Sequence, residues 1–251
     1  MKYPLFAKCS FPQCLPCSKP KTYEKKELDR VRAYLKTRND MGPQLTGGFL
    51  DIGAHVGLWS LHLYEHYELL GVPCNITAFE PDASNFAALC TNTEFPNVVP
   101  NISTINSGCY STTGPMQLHL TTHCGGHYIA ADGKETISVY ALDDVKGDAP
   151  QLDVIKIDIE GAELHAIMGA TKLLLAQQNC LIVCEYSVPQ LARFGHTARQ
   201  LTDHFEACGF RVASEYEERA ITSIKVGQLW RIGLIKGNEW QTGLYKGKSK
   251  I

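Results

Sequence analysis

Acidic side chains close several apolar runs of this chain, at positions suited to holding a cation or accepting a proton. Asp158 and Glu160 lie in "DVIKIDIEGAELHAIMGA" (153–170), Glu185 ends "CLIVCE" (180–185) and Glu80 ends "ITAFE" (76–80). On a strand running extended through Glu160, Asp158 and Glu160 are two apart and share a face. Two carboxylates so placed repel one another without a partner. That partner could be a cationic organic ligand, a divalent metal or a substrate proton, and in the last case Asp158 or Glu160 is the general base. Glu185, on a neighbouring strand, could join them, and the oxygens of Asp158, Glu160 and Glu185 would together suit Mg²⁺. His196, after Glu185 and before a helix, is a secondary base candidate. Glu163 opens a helix, where the dipole favours an acid by about 0.3–1 kcal/mol, so a structural role suffices for it.

"FLDIGAHVGLW" (49–59) leads an apolar strand into a helix through Asp51, Gly53, Ala54, His55 and Gly57. Gly53 and Gly57 let the backbone turn tightly and approach a ligand with no Cβ in the way. Nucleotides are the usual guests of such a strand–turn–helix. Asp51 adds negative charge at the strand's end, which a diphosphate would dislike and a ligand with a cationic amino-acid end would welcome. S-adenosylmethionine is such a ligand. Glu80 follows Gly57 by 23 residues, where related folds set a carboxylate against both ribose hydroxyls. NAD would use the same carboxylate, but its turn asks for GxGxxG and this chain offers GAHVG.

The elements that must position these groups alternate along the chain. The patterning predicts an irregular arm over 1–22, a short helix from Tyr23 to about Lys36 with Leu28, Val31, Ala33 and Leu35 on its apolar stripe, and a strand over Phe49–Ile52. A helix follows from Gly57 to about Leu70, its apolar face carrying Leu58, Leu61, Tyr64 and Leu69. Then come a strand in "NITAFEPD", a helix over 83–93 and a strand over 101–106. "PMQLHL" and "TISVY" alternate as an antiparallel ribbon. "LDVIKID" and "CLIVCEY" are buried strands, with a long helix from Gly161 to Gln178 between them. A helix from Thr197 to Cys208 stops at Gly209, and "FRVASEY" and "QLWRIGLI" close the chain as strands. Such alternation gives an α/β fold, a doubly wound and mostly parallel Rossmann-like sheet with helices on both faces and its ligand beyond the strands' carboxyl ends. Residues 1–40 would form an arm and short helix, a candidate substrate lid, and 41–251 one domain.

The bulk numbers exclude several classes. With 251 residues the chain can bury a full core. Lys and Arg total 24 against 26 Asp and Glu, a net charge of −2 that disfavours nucleic acid as a partner. No stretch approaches the roughly 18 apolar residues of a membrane span. The N-terminus lacks the unbroken apolar run of a signal peptide, and several of the ten cysteines sit inside apolar runs as small core residues. The expectation is a soluble protein of a reducing, cytoplasmic compartment. Asn75-Ile76-Thr77 and Asn101-Ile102-Ser103 match the glycosylation triplet, which carries no meaning without secretion. Cys9, Cys14 and Cys17 approach metal-binding spacing but lack a nearby fourth ligand, and the lysine-rich tail "YKGKSKI" reads as a solvated end. His62, His66 and His165 fall within helices and read as packing residues.

Taken together, "LDIGAHVGL", "AFEPD" and "DVIKIDIEGAELHAIMGA" closely resemble the FkbM family of S-adenosylmethionine-dependent methyltransferases, over residues 49–185. The resemblance implies that Asp51, Gly53, Ala54, His55 and Gly57 cradle the methionine part, with His55 where the family more often has Asn. It implies that Glu80 holds the ribose, that Pro81 and Asp82 border the adenine, and that Asn106, Ser107 and Gly108 line its other side, with Asp158 also at the cofactor. O-methylation of a sugar or other small-molecule hydroxyl is the activity it implies. RNA 2′-O- or N-methylation, or non-catalytic nucleotide binding, are the alternatives. The acceptor pocket is expected from residues 1–40, the 107–140 ribbon and the loop from Tyr186 to His196, since loops carry specificity on a shared scaffold.

Overall fold

Apolar residues on alternate positions of three central strands divide between two cores, and that alternation fixes the layers. The computed structural model describes residues 18–21, 23–41, 44–94, 101–144, 149–212 and 229–236. Phe49, Val154, Leu181 and Val183 face one core with α1 (Lys25–Met41) and α2 (Leu58–Leu70). Leu50, Ile52, Ile155, Ile157, Ile182 and Cys184 face the other. Their strands are β1 (Gly48–Ile52), β8 (Val154–Ile157) and β9 (Cys180–Ser187). Period-two alternation with both faces apolar is what a sheet covered on both sides requires.

Between β1 and β8 the chain forms β2 (Asn75–Phe79), α3 (Ala83–Glu94), β3 (Ile102–Ile105), β4 (Gly108–Cys109), β5 (Gly114–His119), β6 (Tyr128–Ile129) and β7 (Glu135–Tyr140). After β8 come α4 (Glu163–Met168), α5 (Thr171–Ala176), β9, α6 (Val188–Arg193), α7 (Ala198–Ala207), β10 (Arg211–Val212) and β11 (Leu229–Lys236). The main sheet has the order β10-β11-β9-β8-β1-β2-β3. Strands β9, β8, β1, β2 and β3 are parallel, while β11 runs antiparallel to both β9 and β10. This is the doubly wound Rossmann-like sheet that the sequence predicts. A second, four-stranded sheet, β4-β7-β5-β6, is inserted between β3 and β8 and contains the predicted antiparallel pair as β5 and β7.

Helix α1 extends to Met41, beyond the predicted Lys36. Tyr34 joins Leu28, Val31 and Leu35 in the core, whereas Ala33 is exposed. Arg38, on the last turns of α1, reaches Asp153 just before β8 at 2.9 Å, with both side chains out of solvent. In α2, Leu69 is 78% exposed; the inward face uses Trp59, Leu63 and Tyr67 as well as Leu58, Leu61 and Tyr64. The histidines of that helix serve packing, His62 against Arg32 at 2.7 Å and His66 on the Arg32 carbonyl at 3.1 Å.

The single helix predicted over Gly161–Gln178 is two short ones. At Gly169 a Cβ would lie 2.0 Å from the Tyr110 carbonyl oxygen, so the second sheet presses on the chain there. Asp143 then caps the second piece, its carboxylate accepting the Lys172 and Leu173 amides at 2.8 and 3.0 Å. A cap supplied from a distant segment leaves no sequence signal beside the helix. Asp143→Ala is expected to lower the unfolding free energy by about 0.5–2 kcal/mol, read from urea denaturation, as loss of an N-cap does elsewhere. The predicted Tyr186–His196 loop contains α6, opened by Pro189. Helix α7 begins at the capping box of Thr197 and Gln200. Among the described residues no helix is long and apolar enough to cross a membrane. The cluster Cys9, Cys14 and Cys17 and the tail "YKGKSKI" lie outside the described residues; the seven described cysteines are free thiols.

Candidate active site

A cavity opens where β1, β2, β8 and β9 end. Its scaffold side is lined by Gly53, Ala54 and His55, by Glu80 and Pro81, by Asp158, Ile159 and Glu160, and by Lys156 and Glu185. Tyr23, Glu24 and Trp59 form another wall, and the second sheet adds Gly108, Cys109, Leu118 and the segment around Cys124, Gly125, His127, Tyr128 and Ile129.

The turn after β1 owes its shape to left-handed residues. Gly53 has φ 80°, His55 φ 53° and Gly57 φ 87°. A Cβ at Gly53 would sit 2.0 Å from the Asp158 carbonyl oxygen, so glycine is required there by space as well as by conformation. The Gly53 and Ala54 amides donate to the Phe79 carbonyl at 3.0 and 2.9 Å, and the His55 amide donates to Glu80 Oε2 at 2.9 Å. His55 lines the cavity, and its imidazole Nε2 is buried with no hydrogen-bond partner. Burial first, and the Lys156 ammonium second, push its pKa down to about 4, so the ring is neutral near pH 7.

Glu80 is the hub of the β2 end. Its Oε1 accepts the Asp82 amide at 3.0 Å and Asn85 Nδ2 at 3.4 Å. Burial pushes its pKa up to about 7, against the opposing hydrogen bonds from the Asp82 and His55 amides. Asp82 itself caps α3, accepting the Asn85 amide at 2.8 Å. Asn106 Nδ2 donates to the Glu80 and Pro81 carbonyls at 2.9 and 3.2 Å. Ser107 is buried and donates within the second sheet, to the Ser138 carbonyl at 2.8 Å. Of these neighbours, Pro81 and Gly108 line the cavity, whereas Asp82, Asn106 and Ser107 hold the loops behind it.

Asp51 lies fully buried under the turn. Strand register places it opposite Lys156, whose Nζ lies 3.6 Å from Asp51 and 3.5 Å from Asp158 and also donates to the Gly53 carbonyl. Ser60 Oγ donates to the other Asp51 oxygen at 2.7 Å. Burial raises the Asp51 pKa and works against the lysine's charge, but Asp158 and Asp51 outweigh that and hold the Lys156 pKa above its ordinary value. The proton therefore stays on the lysine. The cation that the acids demand is thus, in part, the chain's own, and Lys156 is a site residue that sequence reasoning left in the buried strand.

Strand β8 stops at Ile157, so Asp158 and Glu160 do not converge by strand alternation as predicted. Glu160 instead takes φ 58° and Gly161 φ 112°, and this turn brings both acids to the cavity. Gln190 Nε2 donates to Glu160 Oε2. Burial, then the charges of Asp158 and Glu163, raise the Glu160 pKa to about 8. Glu163 is only 1% exposed, and it folds back to accept the Gly161 amide at 2.9 Å and the Ile159 amide at 3.4 Å. It holds the loop that carries the acids.

Glu24, Asp158 and Glu185 bring one oxygen each within 4.8 Å of one another. Glu160 is absent from that group, so the trio Asp158, Glu160 and Glu185 expected for Mg²⁺ is not the one that converges. His196 sits away from the cavity lining, its ring 4.7 Å from His165, which stacks on Tyr110 at 4.2 Å. His196 is not among the residues that line the cavity with the acids. Besides Lys156, the sequence reading missed Trp59 and the lining segment's contact with Asn85, none of which has a local motif.

The model of the methyltransferase FkbM domain matches residues 51–212. The chain belongs to the FkbM methyltransferase family. A hexuronic acid methyltransferase, AglP of Haloferax volcanii, is 27% identical over 130 residues, 49% of this chain and 50% of the relative. The solved FkbM methyltransferase of Methylobacillus flagellatus superposes with a TM-score of 0.50 at 19% identity, over 87% of this chain and 50% of that one. The bifunctional kinase-methyltransferase WbdD gives a TM-score of 0.53 at 14% identity, over 92% of this chain and 42% of that one. This chain spans about half the length of these proteins or less. The structural likenesses establish a shared fold. In the FkbM domain described here the left-handed turn, Glu80, the Asp158–Glu160 loop and Lys156 all fall within the matched residues.

Proposed function

We propose that the chain transfers a methyl group from S-adenosylmethionine to a hydroxyl oxygen of a sugar or a related small molecule, in a reducing, cytoplasmic setting. The carrying observation is that one cavity joins a left-handed turn and Glu80 on one side to Asp158, Glu160 and Glu185 on the other. S-adenosylmethionine would supply an electrophilic methyl group on a positively charged sulfur.

The residues fit that cofactor. Glu80 keeps acceptor capacity for ribose hydroxyls beyond the three N–H donors it serves, and His55 Nε2 is a buried polar atom still lacking a partner. Pro81 and Gly108 offer apolar walls to a flat base. The carboxylates of Glu24, Asp158 and Glu185 create the negative potential that a cation requires. Lys156 fixes Asp158, and Glu160, held by Gln190, is the group we assign to taking the hydroxyl proton. A base with a pKa near the working pH suits that task. The sugar acceptor draws support from the hexuronic acid methyltransferase among the relatives, and the free thiols agree with a reducing compartment.

Calorimetric titration with S-adenosylhomocysteine and with NAD tests the cofactor. Binding of the former alone is expected, and Glu80→Ala should weaken it about tenfold to a hundredfold, since a hydrogen bond to a charged group contributes about 1.5–3 kcal/mol. A folded Glu80→Ala protein with unchanged affinity would remove Glu80 from the site. Methyl-labelled S-adenosylmethionine with a glycan panel, read by mass spectrometry, tests the acceptor.

A further inference from the structure

Residues 121–127 hold four hydrogen bonds among themselves. Thr121 Oγ1 donates to the His123 carbonyl at 2.8 Å and accepts the His123 amide at 3.2 Å, and the Thr121 amide donates to His127 Nδ1 at 3.1 Å. The Gly126 amide donates to the His123 carbonyl at 2.9 Å. Cys124, Gly125 and His127 of this segment line the cavity, facing Glu80 and the turn after β1.

A buried side chain of the scaffold reaches that segment. Asn85, 3% exposed on the first turn of α3, donates from Nδ2 to the Cys124 carbonyl at 2.9 Å and to Glu80 Oε1 at 3.4 Å. Its own amide is fixed by Asp82. The amide group therefore has one hydrogen on the second sheet's loop and the other on the carboxylate that also holds the His55 amide. A shift of the Glu80 carboxylate must alter the Asn85 amide's position, and with it the loop's anchor.

We infer that Asn85 is a positioning residue that couples occupancy at Glu80 to the order of the Cys124–Ile129 wall, so that a nucleoside held on Glu80 firms the wall that faces it. The inference rests on the proposed cofactor reading. A ligand hydroxyl on Glu80 fixes the carboxylate, the carboxylate fixes the Asn85 amide, and the amide fixes the Cys124 carbonyl. Each link is a hydrogen bond already made or one that Glu80 has capacity to add. Coupling through such a contiguous network amounts to about 0.5–2 kcal/mol where it has been measured.

Hydrogen exchange by mass spectrometry tests this without an acceptor, using S-adenosylhomocysteine as the probe. In the wild-type protein, saturation with it should slow exchange across 121–129 by about twofold to thirtyfold. Asn85→Ala should still bind the probe, at a concentration raised to saturation, yet show no ligand-dependent change there. Asn85→Gln, which keeps the amide donors on a longer arm, should recover part of the effect, which a merely structural role would not predict. Equal ligand-dependent protection in wild type and Asn85→Ala, or none in wild-type protein saturated with the probe, overturns the coupling. Failure of wild-type protein to bind the probe at all instead overturns the cofactor reading, and the coupling with it.

Discussion

Glu160→Gln is expected to lower methyl transfer by about 10²–10⁴-fold, the usual span for removal of a general base. The pH profile carries the sharper test. With a carboxyl whose pKa lies near 8 in the free protein, kcat/KM should rise with pH as that proton leaves. In kcat, which reports the occupied protein, a cationic occupant of the cavity draws the rise to lower pH, because positive charge favours the carboxylate. The amide variant should lack this limb altogether. Asp158→Asn should also lose turnover by a large factor, by leaving Lys156 short of one of its two carboxylate neighbours. Glu163→Gln should keep most of it, since a carbonyl oxygen can still accept the Gly161 amide. Equal activity of the Asp158 and Glu163 variants would remove the assignment of this loop as the reacting edge.

Asp153→Ala should destabilise the fold by about 3–5 kcal/mol, measured as a lower urea midpoint at unchanged slope. Asp153 is wholly buried and receives Arg38 at 2.9 Å, the Gly47 amide at 2.7 Å, the Thr46 amide at 3.1 Å and the Tyr67 hydroxyl at 3.2 Å. Its loss leaves the buried guanidinium with only the Asn179 and Gln44 carbonyls and no counter-charge, and deprives three other donors of their acceptor. Against a typical total of about 5–15 kcal/mol, that is a large share. Arg38→Met should cost less, because the aspartate then keeps the two amides and the hydroxyl. The two variants in one denaturation series separate the charge from its surroundings. A loss below about 1 kcal/mol for Asp153→Ala would mean that the pair does not anchor α1.

The strands were legible because both their faces are apolar, and the turn because Gly53 and Gly57 flag left-handed backbone that the chain indeed uses. Legibility ended where long-range pairing decides. Lys156 became a site residue only through its register with Asp51, 105 positions apart in sequence. Gly169 breaks a helix because Tyr110, the residue after β4, occupies the space. Glu160 reaches the cavity through a non-glycine φ of 58°, which no alternation rule foresees. The same limit explains His196, which looked available after Glu185 and in fact belongs to an aromatic group with His165 and Phe194.

The four-stranded insertion leaves the parallel sheet after β3 and rejoins it before β8. Transplanting another protein's hairpins at these two junctions would exchange one face of the reaction chamber while the parallel strands stay intact. Three fittings constrain any such graft: a backbone carbonyl must meet the Asn85 amide, a carboxylate must cap the Lys172 and Leu173 amides as Asp143 does, and nothing larger than glycine can stand at 169. A chimera that honours these fittings and keeps Gly108 in place should inherit the donor's appetite for substrates while keeping the recipient's grip on its nucleoside.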